Sequence, residues 1–251
     1  MITKRIIPCL DIKNGKVVKG IKFKNLKVID EPVRLAKYYG ESLADELVLY
    51  DISASEENRE TIFDIAKNVA KEINIPFVIG GGIKSIEDFD KALKSGADKV
   101  SINSSAVRNP SLIREASLKF GAQCVVLSID AKLVNNKWIV FTKGGNQKES
   151  LNVLDWAKKA EELGAGEIVL NSINADGTKN GYSEDLLNSL CDILSIPVIA
   201  SGGAGKKEDF LSVFKNTSVA AALAASVFHN KEIKIKELKN YLRINNIKVR
   251  L

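Results

Sequence analysis

This sequence contains a single histidine, His229, and only three cysteines, Cys9, Cys124 and Cys191, in 251 residues. One histidine excludes metal sites built from several histidines, and the cysteines lack the paired spacing of a zinc site. We therefore expect no metal and no cofactor, reduced cysteines in the core and a structural role for His229. Acid–base chemistry would then depend on carboxylates.

Long apolar runs are also missing. No segment approaches the roughly 20 residues that span a bilayer, and Asp11 stands where a signal peptide would still be apolar. The 37 Lys and Arg residues outnumber the 31 Asp and Glu residues, but they are scattered and form no basic block with interleaved aromatics. We expect a cytoplasmic protein that attracts an anionic small substrate, with no role for nucleic acid or membrane.

The chain repeats itself after 121 residues. The segment IPFVIGGGIKS from Ile75 is answered by IPVIASGGAGK from Ile196, and ADELVLYDISASEENR from Ala44 by AGEIVLNSINADGTKN from Ala165. Chance similarity does not explain agreement in both order and spacing. We expect one domain over 1–251, made of two duplicated halves at roughly 1–122 and 123–251.

Eight apolar, strand-like runs alternate with helical segments such as 31–39, 62–72 and 153–163. The runs cover 5–11, 47–51, 77–80, 99–103, 124–130, 167–171, 198–201 and 220–225. Helices between strands impose parallel pairing, and eight such units in about 250 residues favour an α/β fold, a (β/α)8 TIM barrel. An open, doubly wound sheet is the alternative, although it rarely repeats at half length.

Two long loops follow strands, over 12–30 and 131–151, and the second carries a hairpin-like LVNNKWIVF. In a barrel both loops would lie on the face that carries the chemistry. The lysine-rich segment 15–23 contains glycines, and we interpret it as a mobile lid that brings Lys19 over an anionic substrate.

Asp11 and Asp130 each end a strand in equivalent halves, so they would face each other across the barrel mouth. Two opposed carboxylates provide acid–base catalysis without histidine if their surroundings separate the two pKa values. The alternative for either aspartate is a helix cap or a hydrogen bond to a loop.

The two glycine clusters suit phosphate, because backbone N–H groups approach a ligand closely where no Cβ intervenes. Tight turns are the alternative, and the absence of arginine in these segments is no objection. Two cradles, on the order of 20 Å apart, would hold a molecule with a phosphate at each end. The residues predicted to bind substrate or phosphate are Lys19, Gly82, Asn103, Ser104, Asn171, Asp176, Gly177, Ser201, Gly202, Gly203, Ala225 and Ser226, with Gly81 beside them.

Strand parity predicts a second group of charges. Arg5, Lys99 and Glu167 share faces with the site residues farther along their strands, and Glu46 begins the second strand. These two cations and two anions would ring the N-terminal opening of the barrel. The ring would be either a salt-bridge plug that stabilises the base or a gate for a small molecule.

Taken together, RIIPCLDIKNGKVVKG, IGGGIKS, ADKVSIN, AGEIVLNSINADGTKNGY, ASGGAGK and ALAASVFH make the whole chain resemble the cyclase (synthase) subunit of imidazole glycerol phosphate synthase, of histidine biosynthesis. The resemblance implies a lyase-type cyclase and a heterodimer with a glutaminase docked on the N-terminal face. Ammonia from that partner would convert phosphoribulosyl formimino aminoimidazole carboxamide ribotide into imidazole glycerol phosphate and an aminoimidazole carboxamide ribotide.

By the same resemblance, Asp11 and Asp130 are the catalytic acid–base pair, Lys19 belongs to the closing loop, and Arg5, Glu46, Lys99 and Glu167 form an ammonia gate. The implied reaction is attack of ammonia on the ribulosyl carbonyl, loss of water, cleavage and ring closure. Position 171 is Asn where some members carry Thr, and it can still donate a hydrogen bond. The loop over 131–151 has its own sequence.

Three alternatives remain. The sister isomerase shares the barrel and the paired aspartates but has no use for ammonia or a charged floor. A paralogue that uses ammonia in sugar modification is disfavoured by Asp11 and the DGTKNGY segment. A non-catalytic subunit that binds a phosphometabolite is disfavoured by the paired carboxylates.

Overall fold

The structure, a computed structural model, describes residues 3–21, 24–52 and 59–251. Part of the predicted lid, at 22–23, and part of the first repeat, at 53–58, lie outside the described residues.

Within the described residues the chain forms twelve strands and ten α-helices. The strands are β1 Arg5–Lys13, β2 Lys16–Ile21, β3 Lys24–Asp30, β4 Leu47–Asp51, β5 Phe77–Gly80, β6 Lys99–Ile102, β7 Val125–Val134, β8 Lys137–Thr142, β9 Gln147–Asn152, β10 Glu167–Ser172, β11 Val198–Ser201 and β12 Ala221–Ala224. The helices are α1 Pro32–Glu41, α2 Arg59–Glu72, α3 Ile86–Lys94, α4 Ser104–Arg108, α5 Ser111–Phe120, α6 Val153–Glu162, α7 Glu184–Ile193, α8 Lys207–Asn216, α9 Ser226–His229 and α10 Ile235–Ile244.

Eight of the strands close into a parallel barrel. Their order is β1-β4-β5-β6-β7-β10-β11-β12, and β12 pairs with β1 again. Every neighbouring pair in this circle is parallel. The predicted (β/α)8 barrel and its eight strands are therefore confirmed. An open sheet would have left two unpaired edges.

The barrel strands are rich in Val, Ile and Leu because both of their faces are buried. One face packs under the outer helices, and the other fills the lumen with a separate apolar cluster that includes Ile7, Val48, Val126 and Ile199. Helix α6 begins with a polar cap directly after β9: the Asn152 side chain accepts from the backbone N–H of Leu154 at 2.8 Å.

The architecture recurs after 121 residues, as the sequence repeat predicts. Helix α1 begins at Pro32 and α6 at Val153, while β5 begins at Phe77 and β11 at Val198. The same interval separates the starts of β2 and β8. The limits of the domain and of its halves, at 1–122 and 123–251, stay predictions.

The segment 12–30 differs from the long loop that we expected. Strand β1 continues to Lys13 and pairs antiparallel with β2, which pairs with β3. The reason is the turn Asn14-Gly15, where both residues have positive φ, as a two-residue hairpin turn requires. Its counterpart is the predicted second hairpin, which is confirmed as β7, β8 and β9. Movement of the first hairpin as a lid stays a prediction.

A buried ion pair ties the last helix to the base of the barrel. Lys239 of α10 donates to Asp45 at 2.8 Å, and each side chain is only 2% exposed. The other carboxylate oxygen of Asp45 accepts from the backbone N–H of Ile6 at 2.8 Å. Helix α10 is thereby fixed to β1 and to the start of β4.

Replacing Lys239 with methionine should lower the free energy of unfolding by about 3–5 kcal/mol, because Asp45 would remain buried without its cation. Urea denaturation measures this difference. Lys234→Met is the matched control, since Lys234 pairs with Glu237 in solvent and should change stability by less than about 1 kcal/mol. Equal effects of the two substitutions would contradict the buried pair.

Among the described residues, no helix is long and apolar enough to cross a membrane.

Candidate active site

Asp11 and Asp130 stand on opposite walls of the barrel. Three strands separate β1 from β7 in each direction around the circle. Both carboxylates lie near the C-terminal ends of the barrel strands and are 7% and 8% exposed. They line one cavity of about 980 Å³ at the mouth.

The same cavity is lined by all the residues predicted to bind substrate or phosphate. These are Lys19, Gly82, Asn103, Ser104, Asn171, Asp176, Gly177, Ser201, Gly202, Gly203, Ala225 and Ser226. The barrel brings them together because the loops after its strands all meet at this end. Their roles toward a ligand stay predictions.

Asp130 is held by two neutral amides. The side chain of Asn103 donates to it at 2.9 Å, and that of Asn171 at 2.8 Å. Burial raises the pKa of Asp130 from 3.8 to about 6, and the two amide donors limit that rise. A carboxyl group with this pKa exchanges protons readily near neutral pH.

Asp11 has a cation as its partner instead. The Lys19 ammonium of β2 donates to Asp11 at 3.0 Å. Burial, the largest single cause, acts to lower the pKa of Lys19, but Asp11 and the neighbouring Cys9 and Asp176 together outweigh it, and the pKa is raised. Lys19 therefore stays protonated, and the two aspartates have different surroundings.

Each half contributes a glycine cradle of the same construction. Gly81 and Gly82 follow β5, Gly202 and Gly203 follow β11, and all four have positive φ. A Cβ on Gly81 would stand 2.0 Å from the carbonyl oxygen of Asp51, and one on Gly203 would stand 2.0 Å from that of Gly181. Only glycine fits this close approach, so the packing of each loop against its neighbour requires glycine at these positions.

A short helix begins beside each cradle, α4 at Ser104 and α9 at Ser226. Both serines line the cavity. The mouth thus carries two similar sets of a glycine loop and the start of a short helix, an arrangement that suits anions.

A closed ring of ion pairs occupies the opposite end of the barrel. Lys99 donates to Glu46 at 2.9 Å and to Glu167 at 2.8 Å. Arg5 bonds the same two glutamates. The geometry predicted from strand parity is present, while its role as a gate stays a prediction.

The comparisons with known proteins agree with this geometry. A family model described as "Histidine biosynthesis protein" matches residues 5–234. The chain is 55% identical over its full length to the whole "Imidazole glycerol phosphate synthase subunit HisF" of Flavobacterium johnsoniae. Equally named proteins of Hydrogenobaculum sp. and Clostridium botulinum are 55% and 53% identical, again over all of both chains. This chain belongs to the histidine biosynthesis protein family.

Sequence reasoning missed several residues that line the mouth of this histidine biosynthesis protein. Arg108, at the end of α4, lines the cavity, although the glycine segments themselves contain no arginine. Lys143 and Asn146 also line it, and the backbone N–H of Lys143 donates to the Ser104 hydroxyl at 3.0 Å. The hairpin of the second half thus contacts the cradle of the first half. No local sequence pattern predicts this contact.

Tyr50 is a further missed residue, in the lumen below the mouth. Its phenol lies 3.2 Å from the Ser101 hydroxyl. A Cβ on Gly80 would stand 2.5 Å from the Tyr50 ring, so Gly80 makes room for it. Alternation along β4 could have placed Tyr50 in the lumen, above Val48.

The cysteines agree only partly with expectation. All three are free, but only Cys9 is buried, whereas Cys124 and Cys191 are half-buried. No group of three or more His, Cys, Asp or Glu among the described residues could hold a metal ion.

The raised pKa of Asp130 predicts how this histidine biosynthesis protein responds to pH. Between pH 3.8 and about pH 6 the unfolded chain releases a proton that the folded chain retains, so stability falls as pH rises through this window. Asp130→Asn removes this pH-dependent fall in stability, because asparagine does not ionise. Its stability relative to the unsubstituted protein should therefore rise by about 2–3 kcal/mol from about pH 4 to about pH 8.

Urea unfolding at both pH values measures this change. Asp155→Asn, at an exposed position in α6, is the control and should show a pH-dependent change within about 0.5 kcal/mol. A relative stability of Asp130→Asn that does not vary with pH would refute the raised pKa.

Proposed function

We propose that this chain is the cyclase subunit of imidazole glycerol phosphate synthase, a lyase of histidine biosynthesis. It would use ammonia to convert phosphoribulosyl formimino aminoimidazole carboxamide ribotide into imidazole glycerol phosphate and an aminoimidazole carboxamide ribotide. The observation that carries this proposal is a single cavity with a glycine cradle from each half and an aspartate on each of two opposite walls. The names of the relatives support it.

The cradles are the proposed phosphate sites. Gly82 and Ser104 would bind one phosphate, and Gly203 and Ser226 the other, through backbone N–H groups. Arg108 and Lys143 add positive charge beside the first site. A substrate with a phosphate at each end would thus be stretched across the mouth, with its middle between Asp11 and Asp130.

The two carboxyl groups would share the proton transfers. Ammonia attacks the ribulosyl carbonyl, and the carbinolamine loses water, which requires a proton donor for the leaving hydroxyl group. We assign that donation to Asp130, because its pKa of about 6 leaves a protonated fraction near neutral pH. Asp11, beside the Lys19 ammonium, would accept a proton from the amine before cleavage and ring closure.

The ring of Arg5, Glu46, Lys99 and Glu167 would be the entrance for ammonia. Each cation bonds both glutamates, so the ring closes the N-terminal end of an apolar lumen. A glutaminase subunit docked on this face would deliver ammonia away from bulk water, where it would be protonated. A cytoplasmic location stays a prediction.

The deciding experiment mixes purified protein with the labelled bis-phosphate and an ammonium salt. The synthase reaction releases two products and depends on ammonium. The sister isomerase would rearrange its own precursor without ammonium, and a binding subunit would hold the bis-phosphate without turnover. Either of these results, or turnover of a different ammonia acceptor, would reject the proposal.

Asp11→Asn and Asp130→Asn should each lower turnover at least about 10²-fold, because each removes a group that transfers protons. Binding of the bis-phosphate, measured by calorimetry, should persist, since the cradles remain. Asp192→Asn, at an exposed position in α7, is the control. Near-normal turnover in either active-site variant removes that aspartate from the mechanism.

Glu167→Gln should lower glutamine-driven turnover of the complex with the glutaminase at least about fivefold. The neutral amide leaves two cations at the entrance facing one carboxylate, which disrupts the closed ring. Turnover driven by added ammonium should stay within about twofold, because this ammonia enters from the open mouth. Equal losses of both activities would indicate a plug with a purely structural role. Glu162→Gln, exposed on α6, is the control.

A further inference from the structure

His229 connects three elements around the mouth of the barrel. It ends α9, and its Nδ1 lies 2.6 Å from the hydroxyl oxygen of Tyr39 in α1. Its Nε2 lies 3.0 Å from the carbonyl oxygen of Cys9 in β1. Tyr39 is 1% exposed, so the contact with α1 is buried.

These two partners determine where the imidazole proton lies. A carbonyl oxygen only accepts hydrogen bonds, so Nε2 carries the proton and donates to Cys9. Nδ1 then accepts from the Tyr39 hydroxyl. Burial, and next the charge of Lys19, lower the pKa of His229 to about 4, which keeps the ring neutral at neutral pH. One tautomer therefore makes both bonds.

The hydrogen bond from His229 to Cys9 lies just beyond the end of the ladder between β1 and β12. The parallel ladder between β1 and β12 stops at the pair of Pro8 and Ala224. Beyond it, His229 satisfies the Cys9 carbonyl oxygen that β12 no longer reaches. Asp11 is the next residue along β1 with the same orientation as Cys9, and the Cys9 thiol lies 3.9 Å from its carboxylate.

The other end of α9 belongs to the cradle of the second half. Ser226, its first residue, lines the cavity together with Gly203. A helix of four residues has little stability of its own, so its position depends on what its side chains contact. Val227 and Phe228 of α9 are buried in the core, and His229 is the α9 side chain that hydrogen-bonds the strand of Asp11.

We infer that His229 is a positioning residue: by donating to the Cys9 carbonyl oxygen it sets the distance between Asp11 and the anion cradle at Ser226. A substrate bound at the cradle then meets Asp11 at a fixed separation. The histidine contacts no reacting group, so its effect acts through Cys9 and α9. The kinetic part of this inference depends on the proposed function.

Two amide substitutions separate the two bonds. In His229→Gln the side-chain N–H reaches the place of Nε2 and can still donate to Cys9. In His229→Asn the shorter amide reaches only the place of Nδ1, so the bond to Cys9 is lost. Both variants are neutral and differ by one methylene group, which makes them a matched pair.

With the bis-phosphate and ammonium as substrates, His229→Gln should keep kcat within about threefold of the original protein. His229→Asn should lower kcat about tenfold or more, because Asp11 is displaced relative to the substrate, while KM for ammonium stays unchanged. Tyr39→Phe removes only the other bond, so it should lower the melting temperature but keep kcat within about threefold.

Equal kcat values for the Gln and Asn variants would overturn the inference, as would a kcat loss in Tyr39→Phe as large as that in His229→Asn. A kcat–pH profile of His229→Gln that departs from the original between about pH 6 and about pH 9 would also overturn it, because His229 would then exchange protons itself.

Failure of the proposed function is distinguishable from failure of this inference. If the unsubstituted protein does not turn over the bis-phosphate, the proposed function fails. Titration with inorganic phosphate then tests the cradle alone. Weaker phosphate binding in His229→Asn than in His229→Gln supports the positioning role, and equal binding rejects it.

Discussion

Closure of eight parallel strands is the constraint on which the rest of this protein depends. Parallel pairing directs all strands the same way, so their C-terminal ends meet at one mouth and their N-terminal ends at the other. Asp11 and Asp130 therefore share one cavity although 119 positions separate them in the chain. The ring of Arg5, Glu46, Lys99 and Glu167 forms at the opposite end for the same reason.

The duplication gives the two halves of the mouth the same backbone arrangement. Side-chain differences between the halves make the surroundings of the two proposed catalytic aspartates unequal. Tyr50 is the cross-strand neighbour of Asp11, as Asn171 is of Asp130, and Tyr50 and Asn171 are 121 positions apart. Asn171 donates to Asp130, whereas Tyr50 bonds Ser101 and leaves Asp11 to Lys19. The glycine cradles, built from backbone, stay equivalent. The proposed phosphate sites therefore share one backbone construction, whereas the surroundings of the two acids differ.

Several buried charges at the two ends of the barrel have a cost in stability. Burial of Asp130 disfavours its ionised form, and two amide donors offset only part of that effect. The ring of Arg5, Glu46, Lys99 and Glu167 places four charged groups largely out of water. Only the ion pairs among these four groups offset the free-energy cost of their desolvation. His229, by contrast, stays neutral and contributes through hydrogen-bond geometry alone. Stability and proposed activity therefore place opposite demands on the same barrel interior.

The sequence by itself determined the eight strands, the repeat of 121 residues, the two glycine clusters and the facing acids, because each follows from local period or spacing along the chain. Two local signals were overlooked: the Asn14-Gly15 hairpin turn, which was taken for a loop, and the alternation along β4, which indicates a lumen position for Tyr50. Only the tertiary structure decided that Lys143 contacts the first cradle, that Arg108 enters the mouth and that His229 joins α1 to β1. Those contacts depend on how helices and hairpins pack around the closed barrel. The residues involved are far apart in the chain, and no periodic sequence pattern predicts that they meet.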